Sequence, residues 1–231
     1  MSTARPRAAG QTVPVRVEPV SPEVLVERLV DRVLDGLAAA PAAEGPDRRW
    51  RVLLDGAPPT APGALADALV EPLRARGHAA VRVSAGDFLR PAGVRFEHGR
   101  EDPDALLDDA LDTGALIREV LDPLGPGGDG AYLPALWDAE RERSARAARV
   151  PAATGAVLLL DGHLLLGRWL PADLTVHLAV RPATLARLTP PAEAWRLAAE
   201  DRYRDEAGPE DAADVVVRVD DPRRPGWVVE R

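Results

Sequence analysis

The residues whose spacing could do chemistry stand in the turn from Gly56 to Gly63, directly after the apolar segment Arg51–Asp55. A phosphate-binding loop has the pattern G-x-x-x-x-G-K-S/T at such a turn, with a lysine for the phosphates and a hydroxyl for magnesium. Counted from Gly56, the second glycine is replaced by Ala61, the lysine by Pro62 and the hydroxyl by Gly63. Since proline also lacks an N–H donor, the turn predicts poor affinity for magnesium-ATP.

The same turn fits a plain strand-to-helix connection with Pro62 at the helix start, where proline is favoured. Pro58 and Pro59 supply no N–H donors either. Thr60 carries a hydroxyl, but it precedes the position of a magnesium ligand by three residues. The turn alone therefore leaves two interpretations, a structural connection and an altered phosphate loop.

The composition limits the classes of function. The chain has 231 residues, 46% apolar and 29% charged, which suits one large domain with a full core. It has no cysteine, so disulfides and thiolate zinc sites are excluded, and all 29 basic residues are arginine, so a lysine-dependent mechanism is excluded too. The net charge of -8 argues against a nucleic-acid partner. No apolar run approaches the roughly 20 residues that span a bilayer, so no membrane partner is expected.

Short apolar segments alternate with segments of helical periodicity, which predicts a mostly parallel sheet with helices on both faces. The predicted strands are Arg51–Asp55, Ala79–Ser84, Ala156–Asp161, Leu174–Val180 and Asp214–Val219. We expect the first and third of these strands to be central neighbours in the sheet.

Four helices are expected to cover this sheet. The first begins at Pro22, with Ser21 as its cap, and repeats apolar residues at helical spacing: Leu25, Leu29, Val33, Leu34 and Leu37. The others are predicted at Gly63–Arg76 with a bend at Pro72, Asp104–Val120 with Asp102 as cap, and Leu133–Arg149.

The chain divides into three predicted parts. Residues 1–20 form a flexible N-terminal segment with a short β-like stretch, Val13–Val17. Residues 21–47 hold the first helix and a proline-containing linker from Ala38 to Asp47. Residues 48–231 form the α/β domain.

Several motifs follow the strands in a specific order. They are Ser84-Ala-Gly-Asp-Phe88, the run Leu121-Asp-Pro-Leu-Gly-Pro-Gly-Gly128, Ala156-Val-Leu-Leu-Leu-Asp-Gly162, Arg202-Tyr203 and Ala213-Asp214. In order and spacing this series resembles the bacterial uridine kinase family of P-loop phosphotransferases, over about Arg51 to Pro225. The resemblance implies a three-layer, P-loop NTPase-like α/β fold, here with an additional N-terminal helix.

The resemblance also implies roles for particular residues. Gly56, Thr60, Gly63 and Ala64 would belong to the nucleotide-binding loop, and Asp161 would be a catalytic acid that helps to hold magnesium. Asp87 would be the remaining acid of an Asp-Asp-Phe motif whose first position is Gly86 here. A strand-end aspartate and a solvated loop carboxylate are the plainer interpretations of Asp161 and Asp87.

On the substrate side, the resemblance implies Arg90, Asp109 and Tyr132. The family's lid supplies arginines to the phosphates, and the candidates in the corresponding stretch of this chain are Arg187, Arg196 and Arg202. Each of them also fits an ordinary surface charge. An active member would use ATP and Mg²⁺.

Two further groups could carry chemistry. Asp104, Asp108 and Asp112 have i, i+4 spacing and could share one helix face, where a hard cation is one alternative and a solvated acidic face the other. His163 follows the Asp161-Gly162 strand end and either faces the site or lies in a plain loop.

Two functions remain open from the sequence. One is an ATP-dependent kinase of a nucleoside or small hydroxyl metabolite, with the loop lysine and one catalytic acid altered. The other is a non-catalytic pseudokinase that acts as a binding or regulatory module. Both imply a small-molecule partner, and since the first ten residues have no apolar stretch typical of a secretory signal, a cytoplasmic location is expected.

Overall fold

A computed structural model describes residues 16–39 and 48–230. The predicted linker from Ala38 to Asp47 and the stretch Val13–Val17 lie largely outside these ranges. Within them lies a seven-stranded sheet whose strands are β1 Arg16–Pro19, β2 Trp50–Gly56, β3 Ala80–Ser84, β8 Val157–Gly162, β9 Leu174–Ala179, β10 Val215–Arg218 and β11 Gly226–Glu230. Their order in the sheet is β1-β11-β10-β9-β2-β8-β3.

The five strands from β10 to β3 are parallel, as the run of Val- and Leu-rich segments predicted. The expected central pair is confirmed, because β2 pairs in parallel with β8 from Trp50↔Val157 to Asp55↔Gly162. The sequence did not predict β11, which pairs antiparallel with both β10 and β1. The segment before the first helix thus contributes an edge strand to the sheet.

Helices cover the sheet on both faces. Their bounds are α1 Pro22–Ala39, α2 Pro62–Ala75, α3 Ala92–Arg95, α4 Pro103–Asp108, α5 Thr113–Leu116, α6 Pro182–Leu188, α7 Arg196–Ala207 and α8 Pro209–Ala212. The first two have the expected bounds within two residues, and Pro72 lies inside α2. On α1, the stripe residues Leu25, Leu29 and Val33 are buried.

Residues of β2 alternate between two apolar cores. Val52 and Leu54 pack with α1 and α2 on one face, whereas Leu53 packs on the other face with Phe88, among others. This alternation follows from the two-residue period of a strand. Burial on both faces explains the apolar run Val52–Leu54 before Asp55.

Two predicted helices are wrong. The helix at Asp104–Val120 is interrupted: α4 ends at Asp108, and a new start at α5 leads into a π-helical turn, Ile117–Leu121. The stretch Leu133–Arg149 forms no helix but short antiparallel pairs, with β4 Ala131–Tyr132 against β7 Val150–Pro151 and β5 Trp137–Asp138 against β6 Arg143–Ser144.

None of the helices in the described ranges is long and apolar enough to cross a membrane.

Candidate functional site

The loop after β2 is closed by its own hydrogen bonds. Pro58–Thr60 form one turn of 3₁₀ helix, and the backbone N–H and hydroxyl of Thr60 both donate to the Ala57 carbonyl, at 2.8 and 2.7 Å. The hydroxyl is buried and engaged within the loop. A Cβ on Gly56 would lie 2.4 Å from that hydroxyl oxygen, so this fold of the loop requires glycine there.

Ala61 keeps the backbone conformation that a glycine would favour. Its φ of 53° and ψ of 56° lie in the left-handed region, which costs a residue with a Cβ about 1 kcal/mol. Ala61 stands at the position that a phosphate loop gives to its second glycine, a residue that adopts this conformation without strain. Its carbonyl accepts the N–H of Ala64, and Pro62 in the first turn of α2 has no N–H.

Arg82 on β3 contacts Gly63 at the end of this loop, and no sequence motif indicated a role for it. Its Nη2 donates to the Gly63 carbonyl at 3.1 Å and lies 3.1 Å from Oδ1 of Asp161. Its Nε lies 2.9 Å from Oδ1 of Asp67, one helical turn after Gly63. A Cβ on Gly63 would lie 2.8 Å from Nη2 of Arg82 and 3.1 Å from Oδ2 of Asp161. Glycine at position 63 thus leaves room for the guanidinium.

Asp161 lies where the sequence placed it, at the end of β8 and next to the loop. The residue is buried, with 6% of its surface exposed, and the Ser84 hydroxyl lies 3.4 Å from its Oδ2. Burial raises the pKa of the Asp161 carboxyl, and the Arg82 guanidinium opposes this rise. Its Oδ1 is buried without a well-aligned hydrogen bond, so Arg82 interacts with it mainly as a charge.

A cleft of about 440 Å³ opens over this edge of the sheet. It brings together the predicted residues Gly56, Gly63, Ala64, Asp161 and Arg196. His163 lines it as well, which favours the site-facing interpretation of that residue. Most of the other lining residues are small or apolar: Pro58, Ala61, Pro62, Ala85, Gly86, Leu89, Leu106, Ala110, Leu111 and Leu164.

A smaller cavity of about 280 Å³ lies between the loop and α6–α7. It shares Pro58, His163 and Arg196 with the larger cleft. His163 Nε2 contacts a carboxylate oxygen of Glu200 on α7, which ties the end of β8 to that helix. The two spaces therefore meet beside the loop.

The three predicted lid arginines are in different places. Arg196 begins α7 and lines both spaces, with its Nε 3.4 Å from Glu193. Arg187, in the last turn of α6, is exposed and lines neither space. Arg202 lines neither space and instead faces α4, where it forms ion pairs with Asp104 and Asp108.

The predicted substrate residues lie beside the cleft rather than in its lining. Arg90 and Asp109 face each other at 3.6 Å, and Tyr132 packs half-buried against the second core. Asp87 follows Gly86 in the short 3₁₀ turn after β3, and its carbonyl accepts the N–H of Leu136. Partial burial raises the pKa of the Asp87 carboxyl, with Arg82 lowering it and Asp138 raising it further.

The three acids with i, i+4 spacing do not share a helix face. Asp104 and Asp108 on α4 are paired with Arg202, whereas Asp112 caps α5 by accepting the N–H of Ala115 at 2.8 Å. The break between α4 and α5 separates them. The two acids on α4 are exposed and paired with Arg202, and Asp112 lies apart from them, so the shared helix face that the spacing suggested is not formed.

A buried polar network stands directly before the loop. Asp55 is fully buried at the end of β2, with its Oδ2 2.7 Å from Nδ1 of His177 and accepting the Tyr203 hydroxyl at 2.9 Å. Its Oδ1 accepts the N–H of Leu165 at 2.8 Å, and the Tyr203 hydroxyl accepts the N–H of Leu166 at 3.0 Å. The network fixes α7 and the segment after β8 relative to the loop. The sequence feature that could have indicated this network is the charged residue Asp55 at the end of a buried strand.

We expect Tyr203→Phe to lower the free energy of unfolding by about 1–3 kcal/mol, because it leaves the buried Leu166 N–H without a partner. Chemical denaturation of the variant and the parent measures this difference. Tyr132→Phe is the matched control, since the Tyr132 hydroxyl has no hydrogen bond within the described part of the chain. Equal, small effects of the two substitutions would contradict a structural role for the network.

The residues at this edge do not fit a magnesium ion. The Thr60 hydroxyl is bonded inside its loop, Gly63 offers no hydroxyl, and Asp161 already faces Arg82. Mg²⁺ requires near-octahedral oxygen ligands at about 2.0–2.1 Å. Across residues 16–39 and 48–230, no three His, Asp or Glu side chains converge as a metal site.

Solved structures of kinases share this fold. A possible uridine kinase from Bacillus stearothermophilus aligns with a TM-score of 0.63 and 20% identity, over 83% of this chain and 98% of its own. A candidate fructose transport system kinase from Silicibacter sp. TM1040 aligns with a TM-score of 0.59 and 22% identity, over 81% and 94%. D-glycerate 3-kinase from Cryptococcus neoformans aligns with a TM-score of 0.52 and 16% identity, over 81% and 83%.

No protein-family model matches the sequence, and no curated protein is significantly similar to it. At identities of 22% or less, the structural alignments establish the fold and leave the activity open. The chain therefore has the mostly parallel α/β fold of these kinases, and the loop after β2 carries Pro62 and Gly63 where a phosphate loop carries a lysine and a hydroxyl.

Proposed function

We propose that this protein is a small-molecule-binding module built on the P-loop kinase fold, which holds a neutral nucleoside or similar hydroxylated metabolite without transferring phosphate from magnesium-ATP. The observation that carries the proposal is the Arg82–Asp161 contact at 3.1 Å beside Gly63. In this contact Arg82 pairs with the Asp161 carboxylate, the group that a kinase of this fold would use to bind the metal.

The cleft supports a ligand of this class. Its volume of about 440 Å³ is within the roughly 300–1,000 Å³ of small-molecule sites. Leucine, alanine and proline side chains form most of its wall, which favours a ring or another apolar body. Ser84, Asp161 and His163 supply polar groups at one side, where ligand hydroxyls or amides can bind.

The residues of the loop after β2 support the absence of phosphoryl transfer. Phosphoryl transfer depends almost entirely on positioning and on charges that stabilise the transition state. Removal of one such preorganised donor costs about 10²–10³ in rate, and the loop here lacks both the lysine and the metal-binding hydroxyl.

A second candidate is ATP-dependent phosphorylation of the same class of ligand, with ATP and Mg²⁺ as cofactors. Two observations favour it: Arg196 faces the loop from α7, and the carboxyl of Asp87 has a raised pKa suited to accepting a proton. In this candidate Arg196 replaces the missing lysine.

Calorimetric titration of the purified protein with uridine and, separately, with magnesium-ATP distinguishes the two. We expect uridine to bind and ATP to bind poorly, with no uridine phosphate formed when both are present. Ala64→Phe, whose ring would enter the cleft, is expected to weaken uridine binding by at least about tenfold, or about 1.4 kcal/mol. Ala68→Phe, one turn further along α2 and outside the cleft, is the matched control.

Two results would overturn the first candidate. Micromolar binding of magnesium-ATP with formation of uridine phosphate would establish the kinase. Absence of uridine binding, or equal loss in Ala64→Phe and Ala68→Phe, would show that the cleft does not hold this class of ligand.

A further inference from the structure

We propose that Arg82 is a built-in cation that takes the place of the divalent metal at the Asp161 carboxylate, so that binding in the cleft does not depend on Mg²⁺. The inference rests on the proposed function for its ligand, but the contact itself concerns the chain alone. The proposal explains why the site does not fit magnesium: the Arg82 guanidinium occupies the place of the metal.

The position of the guanidinium is the first argument. Nη2 of Arg82 lies 3.1 Å from both the Gly63 carbonyl and Oδ1 of Asp161. Position 63 is where a phosphate loop carries its magnesium hydroxyl. The guanidinium thus lies between the two positions that would otherwise hold the metal, and a second cation there would be repelled.

The fixation of Arg82 is the second argument. Its Nε pairs with Asp67 at 2.9 Å, which orients the side chain across α2 toward the loop. The planar guanidinium offers several donors in a fixed geometry, so it can contact Asp67, the Gly63 carbonyl and Asp161 at once. The Arg82 side chain is 32% exposed, but three partners hold it in one orientation toward the loop.

The charge state of Asp161 is the third argument. A buried carboxylate is expensive unless a cation compensates it. The Oδ1 of Asp161 is buried without an aligned hydrogen bond, and Arg82 is the arginine in contact with it within the described ranges. Removing the guanidinium would leave an uncompensated carboxylate beside Asp67, and those two carboxylates could then attract a divalent ion.

The test measures Mn²⁺, which replaces Mg²⁺ and is detected by electron paramagnetic resonance, without any ligand for the cleft. Four proteins are compared: the parent, Arg82→Gln, Asp161→Asn and the double variant. In the parent background, Asp161→Asn is expected to leave the Mn²⁺ affinity unchanged. In the Arg82→Gln background, the same substitution is expected to lower Mn²⁺ affinity by about tenfold or more, a change of about 1.4 kcal/mol.

Either of two results would overturn the proposal. Weaker Mn²⁺ binding in Asp161→Asn than in the parent would show that the metal binds beside Arg82. Equal affinities of Arg82→Gln and the double variant would show that Arg82 does not keep the metal out. Because no uridine or ATP is present, these results are independent of whether the proposed ligand binds.

A second variant tests the contact if Arg82→Gln does not fold. Arg82→Met keeps the apolar stem of the side chain but removes its charge, so its Mn²⁺ affinity is expected to exceed that of the parent. Arg74→Met is the matched control, because Arg74 pairs with Glu71 on the surface of α2. If the two variants bind Mn²⁺ equally, Arg82 does not keep the metal out and the proposal fails.

Discussion

Replacing Asp173 by alanine is expected to lower the free energy of unfolding by about 3–5 kcal/mol, the largest stability effect that we predict. Asp173 lies before β9 and accepts hydrogen bonds from the backbone N–H of Arg51 at 2.8 Å and from its Nε at 3.0 Å. Arg48 adds a contact at 2.9 Å. The side chains of Asp173 and Arg51 are only 7% and 9% exposed, so the alanine variant leaves a buried, unpaired guanidinium.

Urea denaturation of the variant measures this effect, and Asp201→Ala is the control. Asp201 pairs with Arg204 on the surface of α7, an exposed i, i+3 pair of the kind that contributes about 0–1 kcal/mol. A loss in Asp173→Ala no larger than the loss in Asp201→Ala would contradict the assignment of the Asp173 contacts as the anchor of β2.

The same contacts make stability depend on pH. Burial alone would raise the pKa of Asp173, but the hydrogen bonds and charges of Arg51, with the charge of Arg48, hold that pKa below its usual range. A carboxyl with a lowered pKa in the folded state stabilises the protein fully above its unfolded pKa of about 3.9, and this contribution is lost as the pH falls through the folded value. The difference in stability between the parent and Asp173→Ala should therefore begin to narrow as the pH falls below about 4.

The parallel strands could be predicted because the composition of each short segment by itself indicates a buried strand. The parallel strands are short segments rich in valine and leucine, and β8, one member of the central pair, is the most apolar of them. Strand β11, which lies between β1 and β10, offers only Val228 and Val229 after Gly226 and Trp227. Its pairing with β1 and β10 is a long-range property that local composition does not show.

The stretch Leu133–Arg149 shows where local preference is overridden. Its alanine, glutamate and arginine residues favour a helix, but Glu142 and Arg146 take positive φ values of 48° and 51°. Glu142 contacts the Arg95 side chain and accepts the N–H of Ala92 at 2.8 Å. These contacts join segments some fifty residues apart along the chain, so no pattern within the stretch could indicate them.

At the site, the sequence located the loop and Asp161 but missed Arg82. Strand and loop order place Asp161 next to Gly63, since the ends of parallel strands meet at one edge of the sheet. An arginine within the valine-rich strand β3 resembles an ordinary edge-strand charge. Its role depends on the side chain crossing to Asp67 and Gly63, and strand periodicity does not fix that direction.

Restoring the phosphate-loop residues is expected to restore ATP binding only when Arg82 is also replaced. The triple variant Ala61→Gly, Pro62→Lys and Gly63→Thr returns the glycine, the ammonium and the magnesium hydroxyl. However, the new Cβ at position 63 would lie 2.8 Å from Nη2 of Arg82 and 3.1 Å from Oδ2 of Asp161. Both atoms are the ends of side chains and can shift, but the Arg82 charge stays beside Asp161, so the triple variant alone is expected to gain little affinity for magnesium-ATP.

Adding Arg82→Gln to the triple variant frees both the space at position 63 and the carboxylate of Asp161. Each restored charge-assisted hydrogen bond should then contribute roughly 1.5–3 kcal/mol, so affinity for magnesium-ATP should rise by at least about tenfold over the triple variant. Calorimetry with and without Mg²⁺ measures this rise, and Arg82→Gln alone is the control for a general loss of positive charge. If the triple variant binds magnesium-ATP as tightly as the quadruple variant, Arg82 is no obstacle to the metal. If the folded quadruple variant gains nothing, the cleft has diverged from nucleotide binding beyond the loop and Arg82.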